Sequence, residues 1–102
     1  MTADAPGDIP SRIRHDAGAG GEGSFRVEVD GVEAELGYRL DGDTMILLHT
    51  GVPGAIGGRG IAGDLVRAAL DHARSAGWKV RAQCSYADAW IGRHPEYEAL
   101  RA

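Results

Sequence analysis

The sequence predicts an α/β fold of the α+β type, a mixed sheet in which an antiparallel meander leads into one βαβ unit around a long helix, with short helices at the C-terminal end. Three observations carry that prediction. Apolar and polar residues alternate strictly between 25 and 40, and the alternation breaks at Asp30-Gly31 and ends at Asp41-Gly42, pairs that favour tight hairpin turns. A continuous apolar run follows at Met45–Leu48. Helical periodicity then spans 61–76 and gives way to a second short run rich in strand formers.

Taken in order, the first eight residues, MTADAPGD, have the composition of a frayed, disordered end, so a single domain is expected over 9–102. A short strand is expected around Ile9–His15, then a flexible loop at 16–24, DAGAGGEGS, with regular order from Phe25. Phe25, Val27 and Val29 alternate with Arg26, Glu28 and Asp30, and Val32, Ala34, Leu36, Tyr38 and Leu40 resume the pattern after the turn. The third strand, TMILLHT at 44–50, loses the alternation as a central strand covered on both faces would. In 61–76, Ile61, Ala62, Leu65, Val66, Ala69, Leu70 and Ala73 form an apolar stripe suited to cover it. Asp64 in the first turn and Arg74 in the last match the helix macrodipole, and Gly77 is placed as the left-handed residue that ends the helix. WKVRAQC at 78–84 reads as a strand parallel to 44–50. A short helix follows, with Ser85 and Asp88 spaced as a capping box and His94-Pro95 closing it, and PEYEALRA adds a last turn or two.

A chain of 102 residues suits one small domain. The net charge of −4 lacks the basic excess that neutralises nucleic-acid phosphates, so no nucleic-acid partner is expected. No apolar run approaches the roughly 20 residues that span a bilayer, so no membrane partner is expected either. MTADAPGDIPS has neither the basic nor the apolar region of a signal peptide, and a cytoplasmic location is expected. The single cysteine, Cys84, has no partner for an internal disulfide. No metal is expected, and the composition does not fix an oligomeric state.

The segment GVPGAIGGRGIAGDL at 51–65 places six glycines in thirteen residues between the apolar strand and the helix. A strand that enters a helix through such a turn makes an anion site, because the first backbone N–H groups of the helix lack intrahelical partners and its dipole adds partial positive charge. Gly57, Gly58 and Gly60 carry no Cβ to hold a phosphate away, and Arg59 adds a positive charge. The alternative is that the glycines only make a tight connection. Residues 58–63, GRGIAG, match the G-x-G-x-x-G dinucleotide fingerprint in form. That fingerprint also requires an acidic residue at the end of the next strand, and VRAQC has none. A Walker A loop is excluded by the absence of Gly-Lys-Ser/Thr.

With LLHTGVPGAIGGRGIAGDLVRAALDHARSAGWKVRAQCSY and the later WIGRHPEY on view, the chain resembles the small, single-domain YjdJ-like branch of the GNAT superfamily of acyl-CoA-dependent N-acetyltransferases, over roughly 25–100. The superfamily's pyrophosphate loop, Gln/Arg-x-x-Gly-x-Gly/Ala, falls on 57–62, where Gly60 and Ala62 match and Gly57 departs. The resemblance implies acetyl-CoA as cosubstrate and an amine, small molecule or protein lysine, as acceptor. It implies cofactor contacts from Val52, Gly58, Arg59, Gly60, Ile61, Ala62, Gly63, Ser85 and Tyr86, with the pantetheine arm between strands 44–52 and 78–84. It also points to His49 and Cys84 as catalytic residues.

Each of those two has a plainer alternative. His49 is either a base or proton relay, suited by an ordinary pKa near 6.5, or a hydrogen-bonded structural residue. Cys84, at a strand end where a helix begins, is either a covalent acetyl carrier, a proton donor to the leaving thiolate, or a small buried residue. Relatives usually have Pro two residues before this Cys, and this chain has Ala82. Packing is expected for His94 and Tyr97, core or groove-wall positions for Tyr38 and Trp90, solvent for His72, and no role for His15. The competing function is a non-catalytic acyl-CoA-binding module, since a short chain has little room for an acceptor pocket.

Overall fold

The computed structural model describes residues 9–102, so the expected disorder of 1–8 lies outside the described residues. Five strands form one sheet in sequence order: β1 (Arg14–Ala17), β2 (Glu22–Val29), β3 (Val32–Asp41), β4 (Thr44–Gly51) and β5 (Lys79–Ala82). The first four pair antiparallel, and β4 with β5 is parallel. Helices α1 (Ile9–Arg12), α2 (Ile61–Ala76) and α3 (Ser85–Gly92) contribute Ile9, the α2 stripe and Ala87, Trp90 and Ile91 to one core with Phe25, Val27, Leu36, Met45, Leu47 and Val80 of the sheet.

The α2 stripe is buried as its spacing predicts, except that Ala62 is only half-buried. Gly77 ends the helix at φ 77°, with Trp78 N–H bonded to the Ala73 carbonyl (2.8 Å), the six-to-one bond of a Schellman end. The N-terminal expectations need correction. Ile9–His15 is one helical turn followed by the start of β1, with Pro10 in a position where a missing N–H costs no bond. Most of 16–24 is strand; only 18–21 turn, in a tight hairpin where Gly20 and Gly21 supply φ of 69° and 83°. The glycines there serve a defined turn. His15 and His72, expected in mobile and solvated places, meet at 4.3 Å between ring centroids, with His15 stacked on Phe25 and His72 against Trp78.

One irregularity decides the faces of β4. Tyr38 pairs with Leu47 but Gly37 pairs with His49, so Leu48 is an extra, unpartnered residue, a β-bulge. Met45 and Leu47 join the core beneath α2. Simple alternation would send His49 there too. The bulge reverses the parity, turning His49 to the outer face and Thr50, paired with core residue Leu36, to the helix face. Ile46 is also buried on the outer side, flanked in the register by Arg39 and Arg81.

At the C-terminal end the expected cap is displaced by one residue. Cys84, in extended conformation, is the N-cap of α3; Ser85 is its first helical residue, and Asp88 pairs with Arg101 instead of closing a capping box. His94 stacks on Trp90 at 3.6 Å, and Tyr97 donates its hydroxyl hydrogen to Asp71 (2.7 Å) of α2. HPEY therefore locks α3 against α2. No helix among the described residues is long and apolar enough to cross a membrane.

Candidate functional site

The β4 and β5 strands stay together only from Thr44–Lys79 to Leu47–Ala82. Gln83 and Cys84 then both donate their backbone N–H to the Leu47 carbonyl (3.0 and 3.1 Å), after which the chain departs into α3. Beyond Leu47, β4 keeps β3 on one edge and, among the described residues, has no strand on the other. That edge offers backbone groups to an extended ligand, as an unpaired strand edge does in any sheet. Across the resulting gap, Thr50 Oγ1 lies 3.6 Å from Cys84 Sγ.

The glycine-rich connection adds a second set of free backbone groups. Gly58 and Gly60 both take left-handed φ, 75° and 76°, which delivers the chain into α2. The helix begins with Asp64 N–H bonded to the Gly60 carbonyl (3.1 Å), and no side chain among the described residues caps it, so the amides of Ile61, Ala62 and Gly63 lie at its open end. Space in front of Gly58 and Gly60 is open: a Cβ on either would meet no atom within 4 Å. Free amides at an uncapped helix start are groups that can receive an anion such as phosphate.

Side chains here divide by role. The Ile61 side chain is core, leaving only its amide available. Arg59 is tied to Asp30 of the β2–β3 turn (2.8 Å), an exposed pair that a phosphate can compete with. Gly63 faces α3, where a Cβ would lie 3.1 Å from Trp90 Nε1 and 3.5 Å from the Tyr86 hydroxyl. Its missing side chain is what lets α3 dock, with the exposed Tyr86 beside the start of α2. Asp64, within that first turn, has its carboxyl raised by burial, with Arg67 opposing the shift. Val52 is half-buried after β4, and Ser85 is exposed.

His49 and Cys84 are not brought together. Thr50 and Cys84 lie towards the helices, whereas His49 lies on the outer face, its Nε2 bonded to Glu35 Oε2 at 3.1 Å. With Nε2 as donor to the carboxylate, Nδ1 is left as acceptor. Gly37 seats the imidazole: a Cβ there would be 2.6 Å from His49 Cε1. Glu35 also pairs with Arg26 (3.1 Å). Glu35 and Thr50 are residues that sequence reasoning missed; Glu35 reads as one solvent-facing acid among several, and only the bulge shows that His49 shares its face. A cavity of about 450 Å³ lies on this outer face, with Asp16, Glu22, Ser24, Glu35, Gly37 and His49 in its lining. Among the described residues, no group of three or more His, Cys, Asp or Glu could hold a metal ion.

Comparison with known proteins converges on one family. Residues 24–100 match the family model of the GCN5-related N-acetyl-transferases. The chain is 35% identical to the mouse protein NATD1 over 87 residues, 72% of this chain and 79% of that one. Against the human protein NATD1 it is 35% identical over 89 residues, 84% and 76% of the two. A solution structure from Staphylococcus aureus, of a GCN5-like candidate N-acetyltransferase, superposes with a TM-score of 0.67 at 28% identity, over 90% of each chain.

Proposed function

The chain belongs to the GCN5-related N-acetyltransferase family, and from that premise we propose that it transfers an acetyl group from acetyl-CoA to an amine, with the cosubstrate held at the β4–α2 turn and in the β4–β5 gap. One observation carries the reading: two sets of free backbone groups lie at the same end of β4. The amides of 61–63 suit the pyrophosphate, and the unpaired edge beyond Leu47 suits the amide-bearing pantetheine arm. Gly58 and Gly60 leave room along that path, Val52 follows directly on the free edge of β4, Arg59 can exchange Asp30 for phosphate, and Ser85 and Tyr86 flank it from α3.

The gap opens to both faces of the sheet, and each face offers a different proton group. The ammonium first releases one proton to solvent; as the neutral amine attacks, His49, on the outer face, takes its departing N–H proton on Nδ1 while Glu35 holds Nε2–H and stabilises the imidazolium. The amine nitrogen attacks the thioester carbonyl carbon, the N–C bond forms, the C–S bond breaks, and the thiolate leaves. Cys84, on the helix face, supplies a proton to that thiolate and is itself reset from solvent. The direct route is favoured over an acetyl-cysteine because, among the described residues, Cys84 has the neutral Thr50 hydroxyl as its polar side-chain neighbour and no hydrogen-bonded base to activate it as a nucleophile.

Thiol release from acetyl-CoA, followed in the presence of primary amines with mass detection of the acetylated product, tests this reading. Amine-dependent release is expected. Saturable CoA binding without release from any amine would overturn it in favour of an acyl-CoA-binding module.

A further inference from the structure

The outer-face cavity has a charge that selects its occupant. One row runs across four strands through the register Asp16↔Ser24↔Gly37↔His49, and Ser24 and Gly37, both buried, form its floor. Asp16, Glu22 and Glu35 contribute carboxylates to the lining, and Arg26 is its one guanidinium. That guanidinium is already shared by Asp16 (3.7 Å), Glu33 (2.9 Å) and Glu35 (3.1 Å), while Ser24 Oγ accepts from its Nε (2.9 Å). Glu22 has no ion pair among the described residues. The cavity therefore holds negative charge in excess, and at about 450 Å³ it has the size of a small-molecule site.

We infer that this cavity is the acceptor site and that the acceptor is a small linear amine carrying a second positive charge. The identification as acceptor site rests on the acetyl-transfer reading above; the charge selectivity rests on the cavity alone. One nitrogen lies at His49, where it gives up its proton. The second ammonium lies towards Glu22 and Asp16. Glu22 is on β2 and His49 on β4, two strand spacings across the sheet and two residues along it, about 12 Å apart, so the two nitrogens are separated by a chain of about eight methylenes or the equivalent polyamine. An acceptor with a carboxylate in place of the second ammonium meets repulsion at the same two residues.

The test is an NMR titration of the ¹⁵N-labelled full chain, without acetyl-CoA, with 1,8-diaminooctane and with 8-aminooctanoate at equal ionic strength. The diamine is expected to shift the amides of Ala19, Ser24 and Gly37 saturably and to bind at least about fivefold more tightly than the amino acid, the upper range for one partly exposed charge pair. Glu22→Gln should remove up to about fivefold of that preference, whereas Glu96→Gln, the same charge change on the C-terminal turn, should leave it. Equal affinity for the two probes, shifts confined to other residues, or no effect of Glu22→Gln would overturn the inference. Diamine binding without thiol release would refute acetyl transfer and leave the charge selectivity standing. Thiol release that ignores the charge of the amine would refute the selectivity and leave acetyl transfer standing.

Discussion

Replacing Gly37 by alanine isolates the positioning of His49 from the stability of the fold. The added Cβ would lie 2.6 Å from His49 Cε1 and 3.2 Å from each ring nitrogen. To restore an ordinary contact of about 3.5 Å, the ring must retreat by about 0.9 Å. The 3.1 Å bond to Glu35 has little slack, and a retreat of that size takes it beyond hydrogen-bond range. A positioned base contributes about 10²–10⁴-fold, so a base that has lost its orienting carboxylate should cost kcat about 10- to 100-fold. Stability should not follow. His49 is 58% exposed, and Gly37 is not among the positive-φ glycines, so alanine restricts the unfolded chain and offsets the local crowding by about 0.4–1 kcal/mol. The assay is thiol release at saturating acetyl-CoA, paired with a urea melt. A Gly37→Ala protein with kcat within twofold of the parent would refute the role given to His49, and a large loss of stability would refute the space argument.

Other outcomes follow from the same geometry. Cys84→Ala should lower kcat about 10- to 100-fold by removing a proton donor, and intact mass after incubation of the parent chain with acetyl-CoA should show no acetyl adduct; an adduct that vanishes in Cys84→Ala would establish the covalent route instead. Gly63→Ala should push Trp90 and α3 away, costing about 1–3 kcal/mol of overpacking against about 1 kcal/mol gained in helix propensity, and should raise KM for acetyl-CoA, which steady-state kinetics and a melt would separate. His15 is held below its ordinary pKa of 6.5 by burial and then by His72, with Asp16 opposing. Between that lowered value and 6.5 the unfolded chain binds the proton more readily, so stability falls as pH drops below 6.5 and levels off beneath the folded-state value. His15→Gln should flatten that part of the acid limb in urea melts at pH 7.5 and 5.5; an unchanged slope would show that other groups set it.

Local rules carried most of the fold. Alternation in 25–40, the Asp30-Gly31 turn, the α2 stripe and the Gly77 stop each depend on neighbours in sequence and appear where their patterns placed them; the second turn falls one residue later than expected, at Gly42-Asp43, because Asp41 still pairs with Thr44 at the end of β3. The errors have a common source in contacts made across the chain. Glycine content at 16–24 reads as flexibility until β1 is seen paired to β2, and His72 reads as solvated until His15 is seen to pack on it. The bulge at Leu48 has the largest consequence, because parity along β4 reverses there. Period-two reading puts His49 in the core and leaves Thr50 outside; the bulge exchanges them, giving His49 a carboxylate and Cys84 a hydroxyl. The open backbone of the glycine turn was readable from spacing alone, but its division of labour was not. Gly58 and Gly60 serve the backbone path, whereas Gly63 serves the packing of α3, and only the position of Trp90 shows it.

Hydrogen exchange with and without CoA, read by mass spectrometry on peptides covering 52–64, tests most directly whether the turn is a cofactor cradle. The account predicts saturable protection of the amides of 58 and 61–63, with the Asp30-Gly31 and Gly42-Asp43 turns unaffected. Unchanged exchange across 58–63 at millimolar CoA would contradict it.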